Sequence, residues 1–406
     1  MTRRAAPKPV IIAPDPKVHA RALADLLGKV YSEGGHSYYQ FRDISRGVLE
    51  RGYAPYDWKA ARIGLIGDEI VSHYGVWDFK MRIGRARIRV AGVGSVATSG
   101  DHRRQGLMAA TAAAAVDGMK ARGYDASLLF GIPSFYPRFG YTRAWSETTR
   151  VVPVVDLPDI APKARLRPFR PEPRDDLDTL YNCEYAGLTG SAVRPTYRVC
   201  PLPHQRGFLW TGGDRRPAGY VLVEPKGHQL HCAECVGDPE TTLRALRRLA
   251  RRWRCTEIVF PTLHARHPLA RRLRQGECTV TTRHRRCAEA MIRTVNLATT
   301  LHKMRGELSR RLQRSPMADW TGALLVSDAR ERVTLRIDGG RVEAVPGAAS
   351  RHAIRGSDEI ARLTIGTEPP EETTEAAATR VTGDARRLMP ILFPPQHPML
   401  GAWDRF

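Results

Sequence analysis

The chain has 406 residues, 42% of them hydrophobic, and its 64 basic and 42 acidic side chains give a net charge of +22 at pH 7. This length exceeds one ordinary core and predicts two or three domains; because there is no apolar run of about 18 residues, we expect no transmembrane helix and no membrane partner. The charge favours an anionic partner, such as nucleic acid or a phosphorylated ligand, or else reflects an arginine-rich, solvated surface. The seven cysteines, from Cys183 to Cys287, favour free thiols in a reducing cytoplasm over a disulfide framework.

Hydrophobic periodicity and glycine-containing turns define the elements of the first segment. Gly67-Asp68 is predicted to be the turn between two strands, and Gly123 the residue that closes a helix. In chain order the segment is predicted to form a helix (Lys17–Tyr31), two strands (Ala61–Val76), another β-rich stretch (Met81–Thr98), a helix (Arg104–Arg122), a short buried strand (Asp125–Phe130) and a loop (Phe135–Tyr141).

The turn between Thr98 and the second helix carries the strongest functional signal. A strand that leads through a glycine-containing turn into a helix leaves several backbone N–H groups pointing at one spot, where the helix dipole adds positive potential. Arg103 and Arg104 add two full charges, and Gly106 allows a ligand to approach the backbone closely. These features predict a pyrophosphate site, although neither a Walker nor a Rossmann glycine pattern is present. The alternative is an ordinary helix start with a basic face.

A second copy of the same strand–turn–helix–strand order follows later in the chain. The proline-rich stretch Val151–Pro173 predicts a linker, and after a helix (Arg174–Leu188) and a hairpin the order recurs over His228–Phe260. The copies differ at the turn, because the second has Asp238-Pro239-Glu240 where the first has arginines. Acidic residues cap a helix N-terminus and repel anions, so only the first copy is predicted to bind an anionic ligand.

The last part of the chain is predicted to form a third unit, which begins near Arg293. An amphipathic helix opens it, and three short antiparallel strands follow, with Asp338-Gly339-Gly340 as a turn. Two helical stretches come before the C-terminal segment. The predicted elements are a helix (Val295–Leu312), strands (Gly322–Asp328, Val333–Asp338 and Arg341–Gly347) and helices (Ser357–Gly366 and Asp384–Phe393).

The stretch from His228 to Cys235 has the residue types of a metal site but is not predicted to be one. His228, His231, Cys232 and Cys235 are closely spaced. The stretch is predicted to be a strand, in which residues three apart point to opposite faces. Cys232 and Cys235 could then not bind one ion together, and no second Cys-x-x-Cys occurs. We therefore expect core cysteines and no metal.

Two motifs and the overall architecture resemble a known family. "VATSGDHRRQGLM", Val96–Met108, resembles the acetyl-CoA pyrophosphate loop of the GNAT N-acetyltransferases, with its [RQ]-x-x-G-x-[GA] signature, and "FYPRFGY" resembles the later loop with a catalytic tyrosine. Met291–Met304 resembles the entry of Eis-type (enhanced intracellular survival) acetyltransferases into their third domain. The resemblance implies an α/β (α+β) fold with two tandem GNAT-like domains, the second degenerate, and a sterol-carrier-protein-like C-terminal domain, over residues 1–150, 151–290 and 291–406.

The resemblance also implies the site residues. Backbone groups of Val96, Ala97 and Thr98 would contact acetyl-CoA, and Tyr136 would be the general acid, with Tyr141 as the packing alternative. The terminal carboxylate of Phe406 would act, through water, as the base. The residues implied in pyrophosphate binding are Arg103, Arg104, Gln105, Gly106, Leu107, Met108 and Ala109, among which Met108 is larger than the usual residue.

The implied function is a cytoplasmic N-acetyltransferase that moves the acetyl group of acetyl-CoA to an amine by direct attack in a ternary complex. The acceptor would be a small-molecule or peptide amine, and the family resemblance implies a homo-oligomer, specifically a hexamer. Two alternatives remain open. One is a nucleic-acid-associated protein that uses its positive charge, and the other is a lipid-binding protein that acts through the C-terminal domain.

Overall fold

The computed structural model of the chain describes residues 9–50, 55–158, 165–170, 174–196, 205–213, 215–285, 289–375 and 379–406. The described residues form 19 strands and ten α-helices. In chain order the elements are β1 (Val10–Ile12), α1 (Pro16–Ser32), α2 (Tyr38–Leu49), β2 (Arg62–Ile66), β3 (Glu69–Ile83), β4 (Ala86–Thr98), α3 (Leu107–Ala121), β5 (Ala126–Gly131), β6 (Thr142–Arg143), β7 (Glu147–Pro153), β8 (Arg167–Phe169), α4 (Asp175–Glu184), β9 (Arg206–Thr211), β10 (Pro217–Lys226), β11 (Gln229–Val236), α5 (Pro239–Arg252), β12 (Glu257–Phe260), α6 (Pro268–Leu273), β13 (Thr279–Arg283), β14 (Glu289–Thr294), α7 (Leu297–Gln313), β15 (Gly322–Ser327), β16 (Arg332–Asp338), β17 (Arg341–Pro346), β18 (His352–Arg355), α8 (Glu359–Ile365), α9 (Pro370–Glu375), β19 (Arg380–Thr382) and α10 (Ala385–Leu392).

The strands form three sheets. The strand order is β1-β2-β3-β4-β5-β14-β6 in the first sheet, β13-β7-β12-β11-β10-β9-β8 in the second and β17-β16-β15-β18-β19 in the third. In each seven-stranded sheet one helix connects two parallel neighbours, α3 between β4 and β5, and α5 between β11 and β12. The mixed α/β class and the repeat of the strand–turn–helix–strand unit are therefore confirmed.

The first two sheets exchange strands. β7 follows the first sheet in the chain but lies in the second sheet, where it pairs antiparallel with β12. β14 follows the second sheet but lies in the first, where it pairs antiparallel with β5. The domain boundaries predicted after residues 150 and 290 fall inside these two strands, and the division of the chain into three domains stays a prediction.

Local patterns predicted many elements correctly. The first helix, the turn at Gly67-Asp68 and the closing residue Gly123, with φ 73, agree with the structure. The β-rich stretch predicted over Met81–Thr98 is confirmed, and it contains a tight turn at Gly84, with φ 55, between β3 and β4. Helix α2 was missed, although Ser37 caps it by accepting a hydrogen bond from the Gln40 N–H at 3.4 Å.

The linker predicted over Val151–Pro173 is wrong at its start. Val151 and Val152 belong to β7, which lies between β12 and β13, so their backbone groups are paired inside a sheet. Pro153 is the last residue of that strand. Residues 159–164 and 171–173 of the predicted linker lie outside the described residues.

A bulge in β11 corrects the argument about the two cysteines. Cys232 pairs with Val223 and Glu234 with Leu222, so Ala233 is an extra residue opposite β10. The bulge turns Cys232 and Cys235 toward the same face, where both are 2% exposed in the core of the second sheet. The adjacent Cys232 thiol and burial raise the pKa of the Cys235 thiol. The prediction of core cysteines is confirmed, but the claim that they face apart is wrong.

The core between the first and third sheets is centred on α7. Leu301 and Leu308 on this helix, Met81 on β3 and Leu324 on β15 are fully buried in one cluster. The aromatic ring of the C-terminal residue, Phe406, packs against the same cluster. The third sheet is thereby fixed to the first, and the end of the chain is carried into the first sheet.

Candidate active site

A bulge in β4 opens the first sheet beside β5. One residue of β3, Tyr74, faces two residues of β4, Ser95 and Val96. Ser95 has a left-handed backbone with φ 48, and such bulges bend a strand and interrupt its pairing. The parallel pairing of β4 with β5 ends at Val93, two residues before the bulge. The end of β4 therefore has an edge that is open to a ligand.

His73 on β3 holds this bulge. Its ring Nδ1 lies 2.7 Å from the carbonyl oxygen of Ser95, and its Nε2 lies 2.7 Å from the hydroxyl of Tyr56. A carbonyl only accepts, so Nδ1 carries the proton and the Tyr56 hydroxyl donates to Nε2. Burial lowers the pKa of His73 to about 4, which keeps the ring neutral at neutral pH.

The basic turn precedes α3 and is not part of it. The helix begins at Leu107, and Gly106 is its N-cap residue with φ 79. Arg104 also has a left-handed backbone, with φ 62, so neither residue has helical geometry. The helix start predicted at Arg104 is wrong for this reason. A non-glycine residue in this conformation is strained, and such residues cluster at ligand sites.

The first turn of α3 leaves its backbone N–H groups available. No described side chain caps this helix, whereas Asp15, Ser37, Asp238 and Asn296 cap α1, α2, α5 and α7. A Cβ atom built at Gly106 would meet no atom within 4 Å, so the space in front of the turn is open. An anion there would accept hydrogen bonds at the positive end of the helix dipole.

A pocket of about 500 Å³ lies between the end of β4, the basic turn and the loop after β5. Gln105 does not line it, because its side-chain amide donates to the carbonyl oxygen of Asp101 at 3.3 Å. Tyr136 does line it, so the structure brings the predicted turn and the predicted tyrosine together. The other nine residues predicted to bind acetyl-CoA line the pocket: Val96, Ala97, Thr98, Arg103, Arg104, Gly106, Leu107, Met108 and Ala109.

The two arginines of the turn differ in their partners. Arg103 Nη2 lies 2.6 Å from Glu33 Oε2, and its Nε donates to the carbonyl oxygen of Thr98 at 3.3 Å. Both side chains of this ion pair are about half exposed, so the pair is weak and can be replaced by a ligand. Arg104 is exposed at the pocket, and no described acidic side chain forms an ion pair with it. Arg104 is thus the charge most available to an anion.

Tyr136 and Tyr141 have different surroundings. The Tyr141 hydroxyl is fully buried, accepts from the Tyr74 hydroxyl at 3.2 Å and pairs with Ser127 Oγ at 2.7 Å. Tyr136 is 8% exposed, begins the 3₁₀ turn Tyr136–Phe139, and no described residue hydrogen-bonds to its hydroxyl. Burial raises the pKa of Tyr136, so its hydroxyl stays protonated. Tyr141 is therefore a satisfied core residue, and Tyr136 is the tyrosine at the pocket.

The C-terminal residue lies against β4 beside the bulge. A Cβ atom at Gly94 would lie 3.3 Å from the carboxyl carbon of Phe406, and one at Gly92 would lie 2.6 Å from its ring. Glycine at both positions therefore makes room for the end of the chain. The ring packs between Phe79 and Phe130, with centroid distances of 5.3 and 5.7 Å. The terminal carboxylate lies next to the residue that precedes the bulge.

Sequence reasoning missed several residues of this region. Phe135, Arg138 and Phe139 line the pocket, and the motif "FYPRFGY" was a signal for them that was used only for its tyrosines. Tyr31 on α1 donates to the carbonyl oxygen of Val96 at 3.5 Å. His73 had no sequence signal, because a lone histidine in a strand is typical of an ordinary core position.

The histidines and cysteines between His228 and Cys235 do not form one cluster. The His228 ring lies 3.6 Å from a carboxylate oxygen of Glu257, and His231 pairs with Gln229. Among the described residues, no three His, Cys, Asp or Glu side chains are grouped as metal ligands. Every helix in the described part of the chain is too short or too polar to cross a lipid bilayer.

Comparison with known proteins agrees with this geometry. Residues 35–144 match the sequence model of the acetyltransferase (GNAT) domain, and this range contains the bulge, the basic turn and Tyr136. No curated protein matches the chain. The match covers the first of the two strand–turn–helix–strand units.

Solved structures share the fold over the whole chain. A GCN5-related N-acetyltransferase from Anabaena variabilis is 15% identical with a TM-score of 0.75, and the similarity covers 97% of this chain and 99% of that chain. Another from Kribbella flavida is 18% identical, with a TM-score of 0.74 and coverage of 99% of both chains. Eis1 from Mycobacterium abscessus is 16% identical, with a TM-score of 0.70 and coverage of 98% of this chain and 100% of that chain.

The chain therefore contains a GNAT acetyltransferase domain, and its fold resembles that of Eis1 along its whole length. The predicted resemblance to Eis-type proteins is confirmed at the level of fold. These comparisons support an acyltransferase function, and they do not favour the nucleic-acid-associated or lipid-binding alternatives.

Proposed function

We propose that this protein is an N-acetyltransferase that moves the acetyl group of acetyl-CoA to an amine. The observation that carries the proposal is the pocket in which Tyr136 faces the uncapped N-terminus of α3 and the end of β4. The bound co-substrate supplies the thioester. The acceptor supplies the amine, and groups of this chain would bind the two substrates and assist the proton transfers.

The pocket residues suit a pyrophosphate and a thioester. The N–H groups of Leu107, Met108 and Ala109 and the side chain of Arg104 face the place where two phosphates would lie. Backbone N–H groups of Val96, Ala97 and Thr98 would orient the pantetheine arm and polarise the thioester carbonyl. Arg103 would exchange Glu33 for a phosphate, and Gln105 would support the turn from outside the pocket.

Tyr136 is the proposed general acid. The amine nitrogen forms a bond to the thioester carbon, the C–S bond breaks, and the departing sulfur takes the proton of the Tyr136 hydroxyl. A hydroxyl that stays protonated in its surroundings is suited to this part, and burial raises the pKa of Tyr136. Tyr141 is not suited, since its hydroxyl is committed to Ser127 and Tyr74.

The carboxylate of Phe406 is the proposed proton acceptor. Its position beside Gly94 supports this, because the bulge starts at the next residue. A chain-terminal carboxylate has a pKa of about 3.5 and is ionised at pH 7. It would collect the proton of the attacking amine through water, and the Tyr136 hydroxyl would be restored from solvent.

Other parts of the proposal follow from the family resemblance. We include a small-molecule or peptide amine as acceptor, a cytoplasmic location and a homo-oligomer, specifically a hexamer. The net charge of +22 argues against a polycationic acceptor. The third sheet would have sterol-carrier-protein-like architecture and would serve to carry the end of the chain.

The test compares two tyrosine variants. Tyr136→Phe should lower kcat by about 100-fold or more, while coenzyme A affinity measured by calorimetry stays within about twofold. Tyr141→Phe is the matched control; it removes core hydrogen bonds worth about 1 kcal/mol of stability but should keep kcat. Thiol release would be followed with a panel of amines that includes aminoglycosides, peptides and small polyamines. Full activity of Tyr136→Phe would remove this residue from the mechanism.

Deletion of Phe406 tests the base. The truncated protein should bind coenzyme A normally and lose most of its turnover, because its new terminal carboxylate, on Arg405, ends one residue short of the bulge while the pocket is intact. Equal turnover in the truncated and full-length proteins would exclude the terminal carboxylate.

A further inference from the structure

The C-terminal segment is held by a buried ionic cluster in the second unit, which we call the tail clamp. It consists of Arg194, Glu234 and Asp404, with Thr196 and Tyr220 as hydrogen-bond partners. The Arg194 guanidinium donates to both oxygens of Glu234 at 2.8 and 2.5 Å and to both oxygens of Asp404 at 3.1 and 3.0 Å. The Thr196 hydroxyl donates to Asp404 at 2.7 Å, and the Tyr220 hydroxyl donates to Glu234 at 2.5 Å.

The tail clamp lies at the place where the first unit has its pocket. The last parallel pair is Val93 with Leu129 in the first sheet and His231 with Val259 in the second. In both sheets the bulge follows two residues later. Glu234, the residue after the bulge in β11, therefore has the position that Val96 has in β4. Glu234 stands where the first unit is proposed to contact acetyl-CoA.

In the second unit, side chains of the protein accept hydrogen bonds from backbone N–H groups at the turn before α5. The N–H of Gly237 donates to a carboxylate oxygen of Glu184 at 2.6 Å, and the N–H of Thr241 in the first turn of α5 donates to Asp238 at 2.8 Å. In the first unit the corresponding helix has no side-chain cap. A carboxylate of the protein thus holds an N–H group in the first turn of α5, whereas the N–H groups in the first turn of α3 are available to a phosphate.

The last four residues run from the second unit, through the tail clamp, to the first sheet. Trp403 packs in the core of the second unit against residues such as Tyr220. Asp404 is fully buried in the tail clamp. The guanidinium of Arg405 lies over the Phe130 ring, 4.6 Å from its centroid, and Phe406 reaches β4. The position of Asp404 therefore sets how far the terminal carboxylate extends toward the bulge.

The tail clamp is complete only when the tail is docked. Arg194, Glu234 and Asp404 are each less than 9% exposed, so none of these charges is solvated. Although burial by itself lowers the pKa of Arg194, the two carboxylates raise it, and the net shift is upward. A buried ion pair is weak evidence for stability, because desolvation offsets the attraction, but it fixes a single arrangement of the groups it joins. Here the group that is fixed is the end of the chain.

We propose that the second unit has replaced acetyl-CoA binding with binding of the chain's own C-terminal segment, and that Arg194 is a positioning residue for the carboxylate of Phe406. The positioning role depends on the proposed function, but the binding of the tail does not. Arg194 itself is carried on a segment that pairs with β3 of the first sheet, through the bridge between Met81 and Ala192. The tail clamp thus ties the tail to both sheets.

The test weakens the tail clamp from the side of the tail. Asp404→Asn keeps the shape of the side chain and removes its charge, and Thr196→Val removes one hydrogen bond to Asp404. Thr262→Val is the matched control, since Thr262 is also 8% exposed and its hydroxyl donates to the Ala233 carbonyl, a hydrogen bond that does not include the tail. The first readout is the rate at which a carboxypeptidase releases Phe406 from the folded full-length protein.

We expect Asp404→Asn to speed the release of Phe406 at least about tenfold and to lower kcat at least about tenfold, with coenzyme A affinity within about twofold of the parent. Thr196→Val should show smaller changes of the same kind, and Thr262→Val should match the parent. Unchanged release of Phe406 in Asp404→Asn would overturn the binding of the tail by the second unit.

Two outcomes separate this proposal from the proposed function. Faster release with unchanged kcat in Asp404→Asn, while deletion of Phe406 abolishes turnover, would overturn the positioning role and leave the base in place. If deletion of Phe406 also leaves turnover unchanged, the proposed base fails, and faster release still supports the second unit as the binding site of the tail.

Discussion

The two strand–turn–helix units begin their helices in opposite ways. α3 starts from Gly106, with φ 79 and no side-chain cap among the described residues, whereas α5 starts from Asp238, which caps it. The bulge lies at the same register in β4 and β11. The helix N-terminus is therefore left open in one unit and is capped by a carboxylate of the protein in the other. The connection before the helix differs as well, since residues 99–106 lie between β4 and α3 but only residues 237–238 lie between β11 and α5. The loop and its side chains together distinguish the unit that can bind an anion.

Placing a carboxylate at the helix start of the first unit should have the largest effect. Gly106→Asp places a carboxylate beside the proposed pyrophosphate site, where two unit charges about 4 Å apart interact by about 4 kcal/mol near a protein surface. We expect coenzyme A affinity to fall at least about 100-fold by calorimetry. Gly106→Asn is the matched control, because asparagine also tolerates a left-handed backbone but carries no charge. Equal losses in the two variants would mean that shape, and not charge, distinguishes the units.

A second difference concerns the bulges themselves. His73 on β3 and Val221 on β10 occupy equivalent positions in the two sheets. Each pairs with the residue that lies two positions after the bulge residue, His73 with Ala97 and Val221 with Cys235. Burial lowers the pKa of His73 to about 4, against about 6.5 in an unfolded chain. As the pH falls below about 6.5, His73 binds a proton in the unfolded chain but not in the native protein, so stability decreases until the pH reaches about 4.

His73→Val should therefore flatten the pH dependence of stability. Between pH 7 and pH 5 the parent should lose about 2 kcal/mol of unfolding free energy through this one histidine. The loss in the variant should be smaller than the loss in the parent by this amount. At pH 7 the variant should be less stable, because Ser95 and Tyr56 lose their partner. Urea unfolding at both pH values measures the change. An identical loss in both proteins would contradict the assignment of a buried neutral ring.

The sequence predicted what depends on neighbouring residues. The turn at Gly67-Asp68, the closing glycine Gly123 and the repeated strand–turn–helix–strand order are local patterns, and the structure confirms them. The pocket was found from the same kind of signal, since Val96–Ala109 is one continuous stretch. Its helix start was placed wrongly at Arg104, because the left-handed backbone of a non-glycine residue leaves no mark in the sequence.

What the sequence did not predict depends on distant pairing. β7 and β14 are exchanged between sheets, and nothing local in Val151–Pro153 distinguishes a central strand from a proline-rich linker. The tail clamp joins Arg194 to Asp404, which are 210 residues apart. The position of Phe406 followed only from the family resemblance, because its contacts with Gly92 and Gly94 are made by tertiary packing.

The smallest expected effect concerns single charges and uses one arginine from each unit. Arg104, before α3, and Arg254, after α5, are both exposed and both have a left-handed backbone, with φ 62 and 55. Arg104→Glu and Arg254→Glu therefore change the net charge equally at residues with the same backbone conformation, and of these two arginines only Arg104 lines the pocket. We expect Arg104→Glu to weaken coenzyme A binding about tenfold at low salt, with the difference shrinking at about 1 M salt because the charge is exposed. Arg254→Glu should stay within about twofold of the parent.

Two outcomes would contradict this prediction. If the two variants weaken binding equally, the overall charge of the protein attracts the ligand and the basic turn has no special part. If neither variant weakens binding, the backbone N–H groups of α3 hold the anion alone.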